Sequence, residues 1–292
     1  MTKSPLEQSL RLPDFLIVGA MRSGTSSLSR YLAEHPGVYV APRKELHFFD
    51  ETDHFQLGVE WYASHFSAAP RGALLGEATQ TYMYLPIALE RIEHTLPGCR
   101  AIALLRDPVD RAYSHYWHNV ERGHERLSFE DAIQAEPQRL DGGDLETRLD
   151  FSYLDRGRYL GQLERLQRVF GTENLAVLLF EELAQDPHEQ FSKVCSFLAI
   201  DDKLAPPKVG RRINGYRQIR SRRLRRWAKP LPRRLKNAIG RLNSKPSVYP
   251  PLDPELRLRV AYEYRHDLEG LEHWPDYELD LSLWPSYRAE HD

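Results

Sequence analysis

The residues with the most chemical promise lie in Gly19-Ala-Met-Arg-Ser-Gly-Thr25. This glycine-punctuated turn follows the apolar run Phe15–Val18 and precedes a helical pattern through Leu28, Tyr31 and Leu32. Strand, tight turn and helix start is the arrangement that binds phosphate-like anions. The first helical turn leaves its N–H groups without partners, and the helix dipole favours negative charge there. The spacing of Gly19 and Gly24 matches that of the nucleotide-binding P-loop, but Thr25 stands where that loop carries its lysine, and the cation Arg22 lies inside the turn instead. The departure argues against a triphosphate held with magnesium and for another anion of the phosphate type.

Two further clusters carry reactive side chains. In Pro42-Arg-Lys-Glu-Leu-His-Phe-Phe-Asp50, a cation (Lys44), a carboxylate (Glu45) and an imidazole (His47) fall within four residues. Phe48 and Phe49 could exclude water and make a carboxylate more basic by desolvation, as a general base requires. The competing reading puts the two phenylalanines in the core and the charges in a solvated turn. In Leu104-Leu-Arg-Asp-Pro-Val-Asp-Arg-Ala-Tyr-Ser114, Arg106 ends an apolar run and Ser114 lies nearly two turns into the helix that Pro108 opens. A fixed guanidinium with a hydroxyl suits a second phosphate; the alternative is a structural arginine paired with Asp107 or Asp110.

These residues need a frame. Candidate strands are Phe15–Val18, Val38–Val40, Leu74–Gly76, Ala101–Leu105 and Leu175–Leu179, short and apolar as buried parallel strands are. Candidate helices are Thr25–Glu34, Val59–Phe66, Leu85–Thr95, Pro108–Arg122, Phe129–Gln134, Tyr159–Val169, Pro187–Leu198 and Pro254–Gly270. Asp-Pro pairs at 107–108, 186–187 and 253–254 supply an N-cap followed by proline at the first helical position. The alternation predicts a single α/β domain over residues 1–292, with a central parallel sheet, flanking helices and ligands at the carboxyl ends of the strands. Glu136–Asp150, polar and carrying Gly142-Gly143, reads as a mobile loop.

At 292 residues the chain can bury a sizeable core. Its 40 basic and 42 acidic residues exclude nucleic-acid binding by overall charge. Two cysteines, Cys99 and Cys195, exclude a disulfide scaffold, and neither they nor the scattered histidines have metal-ligand spacing. The absence of a signal peptide or an apolar run of about 18 residues predicts a cytoplasmic protein. From Lys208 to Lys245 there are fifteen Lys or Arg and no acid, which leaves 25 basic against 42 acidic residues elsewhere. Trp227, Leu231, Leu235, Ile239 and Leu242 recur there at helical spacing, as in an amphipathic helical pair with its apolar side packed inward. The sharper readings of this segment are an anion-binding flank over the active site or a membrane-surface patch.

Taken in order, the three clusters resemble the sulfotransferases that use 3′-phosphoadenosine 5′-phosphosulfate (PAPS), most closely the heparan and carbohydrate branch and its bacterial relatives. Gly157-Arg-Tyr-Leu-Gly-Gln-Leu-Glu-Arg-Leu166 and Leu178-Leu-Phe-Glu-Glu-Leu-Ala-Gln-Asp-Pro187 are similar to that family's later helix and strand. The resemblance implies sulfuryl transfer without a metal to a hydroxyl, or less readily an amine, of a carbohydrate, glycolipid or small metabolite, leaving 3′-phosphoadenosine 5′-phosphate (PAP). It implies that Ser23, Gly24, Thr25 and Ser26 hold the 5′-phosphosulfate. Arg22 would stabilise charge on the bridging oxygen, and Arg106 and Ser114 would hold the 3′-phosphate. Glu45 would be the general base, with His47 its rival and Lys44 and Asp50 in support. Tyr159 and, from the basic run, Gly210, Arg211 and Arg212 are further candidates for the nucleotide, and Glu77, Thr79 and Tyr82 for the acceptor. The alternative is a P-loop kinase or nucleotidase, for which Phe180-Glu-Glu182 is the one feature resembling a metal-binding strand end.

Overall fold

The computed structural model describes residues 10–204, 217–219, 244–246, 249–275 and 277–291, together with Trp227, Leu235 and Ile239. The chain runs β1 (Phe15–Gly19), α1 (Thr25–Ala33), β2 (Val38–Val40), α2 (Thr52–Phe55), α3 (Gly58–Ser64), β3 (Leu74–Ala78), α4 (Pro86–Thr95), β4 (Arg100–Leu105) and α5 (Pro108–Arg122). It continues through α6 (Phe129–Gln134), α7 (Glu136–Gly142), α8 (Leu145–Phe151), α9 (Leu160–Phe170), β5 (Leu175–Leu179), α10 (Phe180–Gln185) and α11 (Pro187–Leu198). A short antiparallel ribbon pairs β6 (Arg217–Ile219) with β7 (Ser244–Pro246), and α12 (Pro254–Tyr262), α13 (Arg265–Glu272) and α14 (Pro285–His291) close the chain.

The five strands β2-β3-β1-β4-β5 form one sheet, every neighbouring pair parallel. All five residues of β1 are buried, because helices cover both faces of the sheet. Alternation along the strand sends Phe15 and Ile17 to a layer with α1 and α11, and Leu16 and Val18 to the larger layer of α4, α5 and α9. The chain goes from β1 to the edge strand β2, returns inward through β3, then crosses to β4 and β5 on the other side. The carboxyl ends of β1 and β4 therefore flank the switch point of the sheet, where open α/β folds bind ligands.

The three Asp-Pro signals do start helices: Asp107 accepts the Asp110 N–H (2.9 Å), Asp186 the N–H groups of His188 and Glu189, and Asp253 that of Leu256. Elsewhere the sequence misled. The expected loop 136–150 is helical, as α7 and α8, with Asp144 capping the second through the Thr147 N–H. The expected helix 254–270 is broken at Glu263–Tyr264. There Tyr264 turns inward, fully buried, and donates its hydroxyl to the Leu154 carbonyl. The break lets Asp267 accept the N–H groups of Tyr159 and Leu160, which caps α9. In the basic segment, Trp227 is 68% and Leu235 53% exposed, so these two do not pack inward; Leu231 and Leu242 lie outside the described residues. No helix among the described residues is long and apolar enough to cross a membrane.

Glu136, the first residue of α7, is buried, and its carboxyl accepts the N–H groups of Leu154 and Asp155 (2.7 and 2.8 Å). It pins the 3-10 turn Asp155–Gly157 against α5. Burial raises its pKa to about 7 against the pull of those two hydrogen bonds. Between its ordinary value and about 7, the unfolded chain has released this proton and the folded chain retains it, so rising pH costs stability. The unfolding free energy should fall relative to that of Glu136→Gln from about pH 4.5 to 7, by on the order of 3 kcal/mol, and run parallel to it above. Denaturant titrations that stay parallel through that window would show that Glu136 ionises normally.

Candidate active site

The loop after β1 is shaped by two residues in the left-handed region, Arg22 (φ 71°) and Gly24 (φ 91°). Gly24 is required twice over: a side chain would strain the backbone, and its Cβ would come within 2.8 Å of the Phe180 ring. It precedes α1, which has no side-chain cap, so the first-turn N–H groups face outward unpaired by side chains. Ser23 is fully buried, with a hydroxyl that has no partner.

Arg106 leaves the end of β4 beside this loop. Its Nη1 donates to the Arg22 carbonyl at 3.2 Å, its guanidinium lies over the Phe180 ring at 4.9 Å, and its Nε is buried without a partner. Ser114, on α5, accepts from Arg22 Nε at 3.0 Å. The Tyr249 hydroxyl lies 3.2 Å from both Ser114 Oγ and Arg22 Nη2. The structure thus joins the first and third clusters, and it places the Arg22 side chain beside Ser114. Tyr249 had escaped sequence reasoning; it follows the basic run, and nothing but its two following prolines marks it.

The backbone at Arg106 is held from below. Its carbonyl accepts the Tyr159 hydroxyl (2.9 Å), and the next N–H, of Asp107, donates to Glu181 Oε1 (3.1 Å). Trp284 Nε1 donates to Glu181 Oε2 (2.9 Å), and the Ser286 N–H donates to the Asp107 carboxylate (2.8 Å). Tyr159 is therefore a fully buried support for Arg106 rather than a face for the nucleotide. Glu181 serves the same scaffold through both of its oxygens. Gly210, Arg211 and Arg212 lie outside the described residues.

The second cluster is neither a solvated turn nor wholly catalytic. Phe48 and Phe49 are core residues, Phe48 stacking on Tyr62 with centroids 4.4 Å apart. The charges form a connected chain: Lys44 Nζ lies 3.2 Å from Glu45 Oε1, His47 Nε2 lies 3.9 Å from Glu45 Oε2, and His47 Nδ1 lies 2.8 Å from Asp50 Oδ2. Glu45 and His47 are themselves left-handed (φ 55° and 54°). Asp50 is buried and also accepts from the Thr81 hydroxyl. An ionised carboxylate can only accept, so Nδ1 carries the proton and Nε2 is turned toward Glu45. Burial alone would lower the His47 pKa, but the hydrogen bond and charge of Asp50, joined by Glu51 and Glu45, outweigh it and raise the pKa above 6.5.

Glu77, Thr79 and Tyr82 are not an acceptor surface. All three are buried: the Glu77 carboxyl accepts the hydroxyls of Tyr62, Thr79 and Tyr82, and burial raises its pKa. Tyr82 in turn accepts the Phe48 N–H at 3.2 Å. The network supports the Glu45–His47 loop from behind.

A family profile described as "Sulfotransferase domain" matches residues 12–210. The chain belongs to the sulfotransferase family. A solved sulfotransferase from Alicyclobacillus acidocaldarius is 27% identical, with a TM-score of 0.70 over 92% of this chain and 98% of that one. The human bifunctional heparan sulfate N-deacetylase/N-sulfotransferase 3 is 28% identical over 273 residues, 89% of this chain and 29% of that protein. The mouse heparan sulfate glucosamine 3-O-sulfotransferase 3A1 is 30% identical over 194 residues, 66% of this chain and 47% of that protein. The sulfotransferase thus spans less than half the length of these two curated relatives.

The Asp50–His47 contact makes a direct prediction. An imidazole favoured in its charged form adds stability that is complete below about pH 6.5 and is lost as the pH rises through its raised value. Asp50→Asn removes the charge and leaves the burial, so the His47 pKa should drop below 6.5. Imidazole NMR titration, with His47→Asn to assign the signal, measures it; an unchanged pKa in Asp50→Asn would remove Asp50 from this role.

Proposed function

We propose that this sulfotransferase moves a sulfuryl group from PAPS to a hydroxyl, less readily an amine, of a carbohydrate, glycolipid or small metabolite. The observation that carries the reading is the shared wall of two anion pockets: Arg106 donates to the Arg22 carbonyl, and Arg22 donates to Ser114. One ligand with anionic groups at two ends suits that wall better than two independent anions. The relatives named for heparan sulfate chemistry support a carbohydrate acceptor.

The donor supplies an electrophilic sulfuryl group. The chain supplies positioning and charge, which is what in-line transfer between two oxygens demands. N–H groups of Ser23 to Ser26, with the hydroxyls of Thr25 and Ser26, bind the phosphosulfate end. Arg106 and Ser114 bind the 3′-phosphate, and Arg22 lies between the two ends. Glu45 takes the proton from the acceptor hydroxyl. His47, turned toward Glu45 and held by Asp50, stabilises the Glu45 carboxylate through its charged form, which Asp50 favours. The basic run from Lys208 to Lys245 is opposite in sign to the donor and would draw it in. A P-loop kinase is not favoured: Thr25 replaces the lysine of that loop, and Glu181 is committed to Asp107 and Trp284.

Calorimetry should show PAP binding at least tenfold tighter than AMP. Arg106→Ala should reduce PAP affinity by tenfold or more and leave AMP within twofold, since only the 3′-phosphate meets Arg106. Equal affinity for PAP and AMP in the wild-type protein would refute the donor. Turnover with a hydroxylated acceptor should fall about 10²–10⁴-fold in Glu45→Gln, with PAP affinity preserved. Full turnover in that variant would transfer the base role to His47.

A further inference from the structure

Behind the anion loop lie two buried arginines that the reading above leaves without a task. Arg111 and His115 sit one turn apart on α5, facing the segment 152–157. Arg111 and His115 are 0% and Arg156 is 3% exposed. Arg111 donates Nη2 to the Tyr153 carbonyl, and its Nε and Nη1 have no partner. Arg156 donates Nε to Ser152 Oγ (2.9 Å) and points Nη1 at Met21 Sδ (3.0 Å), a weak acceptor, while Nη2 has none. Its guanidinium also lies over the Tyr84 ring at 4.7 Å. Neither nitrogen of His115 is bonded.

Among the described residues no carboxylate forms an ion pair with Arg111 or Arg156. Asp50 and Asp150 act on Arg156, and Glu136 on Arg111, only at longer range. The chain treats other arginines differently: Arg139 bonds both oxygens of buried Glu125 (2.6 and 3.3 Å), and Arg257 pairs with Asp110. The field of the unpaired cations is felt nearby. Burial first, then Arg111 and Arg156, push His115 well below its ordinary pKa. A buried guanidinium without a counter-charge is costly for a folded chain to keep.

We propose that Arg156, backed by Arg111, is a fixed positive charge beneath the anion loop whose counter-charge is the phosphosulfate end of the donor. Arg156 touches Met21, the residue before Arg22, so it both supports the loop and sets its potential from the water-excluded side. It is a positioning residue, because it reaches the donor through the loop. The low dielectric of its site makes that charge count more than a surface lysine would. The inference rests on the donor reading above and adds a residue that no motif in the sequence marked.

The test separates function from structure by sign. Arg156→Met keeps the length of the stem and removes the charge. If the charge awaits the donor, this variant should lose tenfold or more in PAP affinity by calorimetry, while the ligand-free protein melts at the same temperature or higher. Arg156→Lys, which keeps the charge, should stay within threefold of wild type in PAP affinity. A structural arginine predicts the reverse. PAP affinity within twofold of wild type in Arg156→Met, a clearly lower melting temperature or failure to fold in that variant, or a tenfold loss in folded Arg156→Lys would each overturn the proposal. The preference of the wild-type protein for PAP over AMP, read in the same titrations, tests the donor reading separately: if the preference is absent, that reading fails first.

Discussion

Everything at the candidate site depends on two parallel strands lying side by side. β1 and β4 are neighbours at the centre of the sheet, and each ends in a chemically loaded turn. Their adjacency brings Arg106 within hydrogen-bonding distance of the Arg22 carbonyl, and α5, which springs from the same turn as Arg106, carries Ser114 to the Arg22 side chain. Had β3 and β4 been neighbours instead, the loop and Arg106 would stand a strand apart, near 5 Å or more farther. The separation that decides what the site can hold is set by strand order.

Around that centre the chain uses buried carboxylates as pins for backbone rather than as reactants. Asp107 and Glu181 fix the turn at Arg106, Glu136 and Asp267 fix the segment that bears Arg156 and Tyr159, and Glu77 with Asp50 fixes the loop of Glu45 and His47. An acceptor aimed at N–H or O–H groups can hold a position that packing alone leaves loose. Burial raises the pKa values of Asp107, Glu181, Glu136, Glu77 and Asp267, the last to about 6. Perturbed acids therefore surround the site in structural roles, and a shifted pKa alone does not single out a catalytic group here.

The five strands and the flanking helices were legible because their signals are local: apolar runs of strand length, and Asp-Pro caps before amphipathic stretches. The helices of 136–151 were not legible, because Gly142-Gly143 reads as a loop and only the distant N–H groups of Leu154 and Asp155 explain why Glu136 is buried. The break at Tyr264 was hidden for the same reason, since it is set by the Leu154 carbonyl more than 100 residues upstream. At the site, the loop and Arg106 were marked by glycine spacing and a strand end. Tyr249 and Arg156 carry no motif and enter through tertiary contact. Glu77, Thr79 and Tyr82 were misread because residues after a strand end on the ligand edge look accessible until a layer of aromatics is packed over them.

Four non-glycine residues among those described have positive φ, and three of them are Arg22, Glu45 and His47. The fourth, Ala199, ends α11, where such a conformation is ordinary. Each of the three costs about 1 kcal/mol or more, and a chain selected for stability alone would have glycine or asparagine there. The side chains explain why it does not: glycine would relieve the backbone but remove the guanidinium, the carboxylate or the imidazole. Backbone strain here and the unpaired guanidiniums behind the loop are costs of the same kind. The strained residues are themselves proposed donor and base groups, Arg156 reaches the anion loop through Met21, and both are supported by the buried network beneath. A site that must present charge in a fixed direction holds unfavourable groups in place, and the surrounding fold supplies the stability to keep them there.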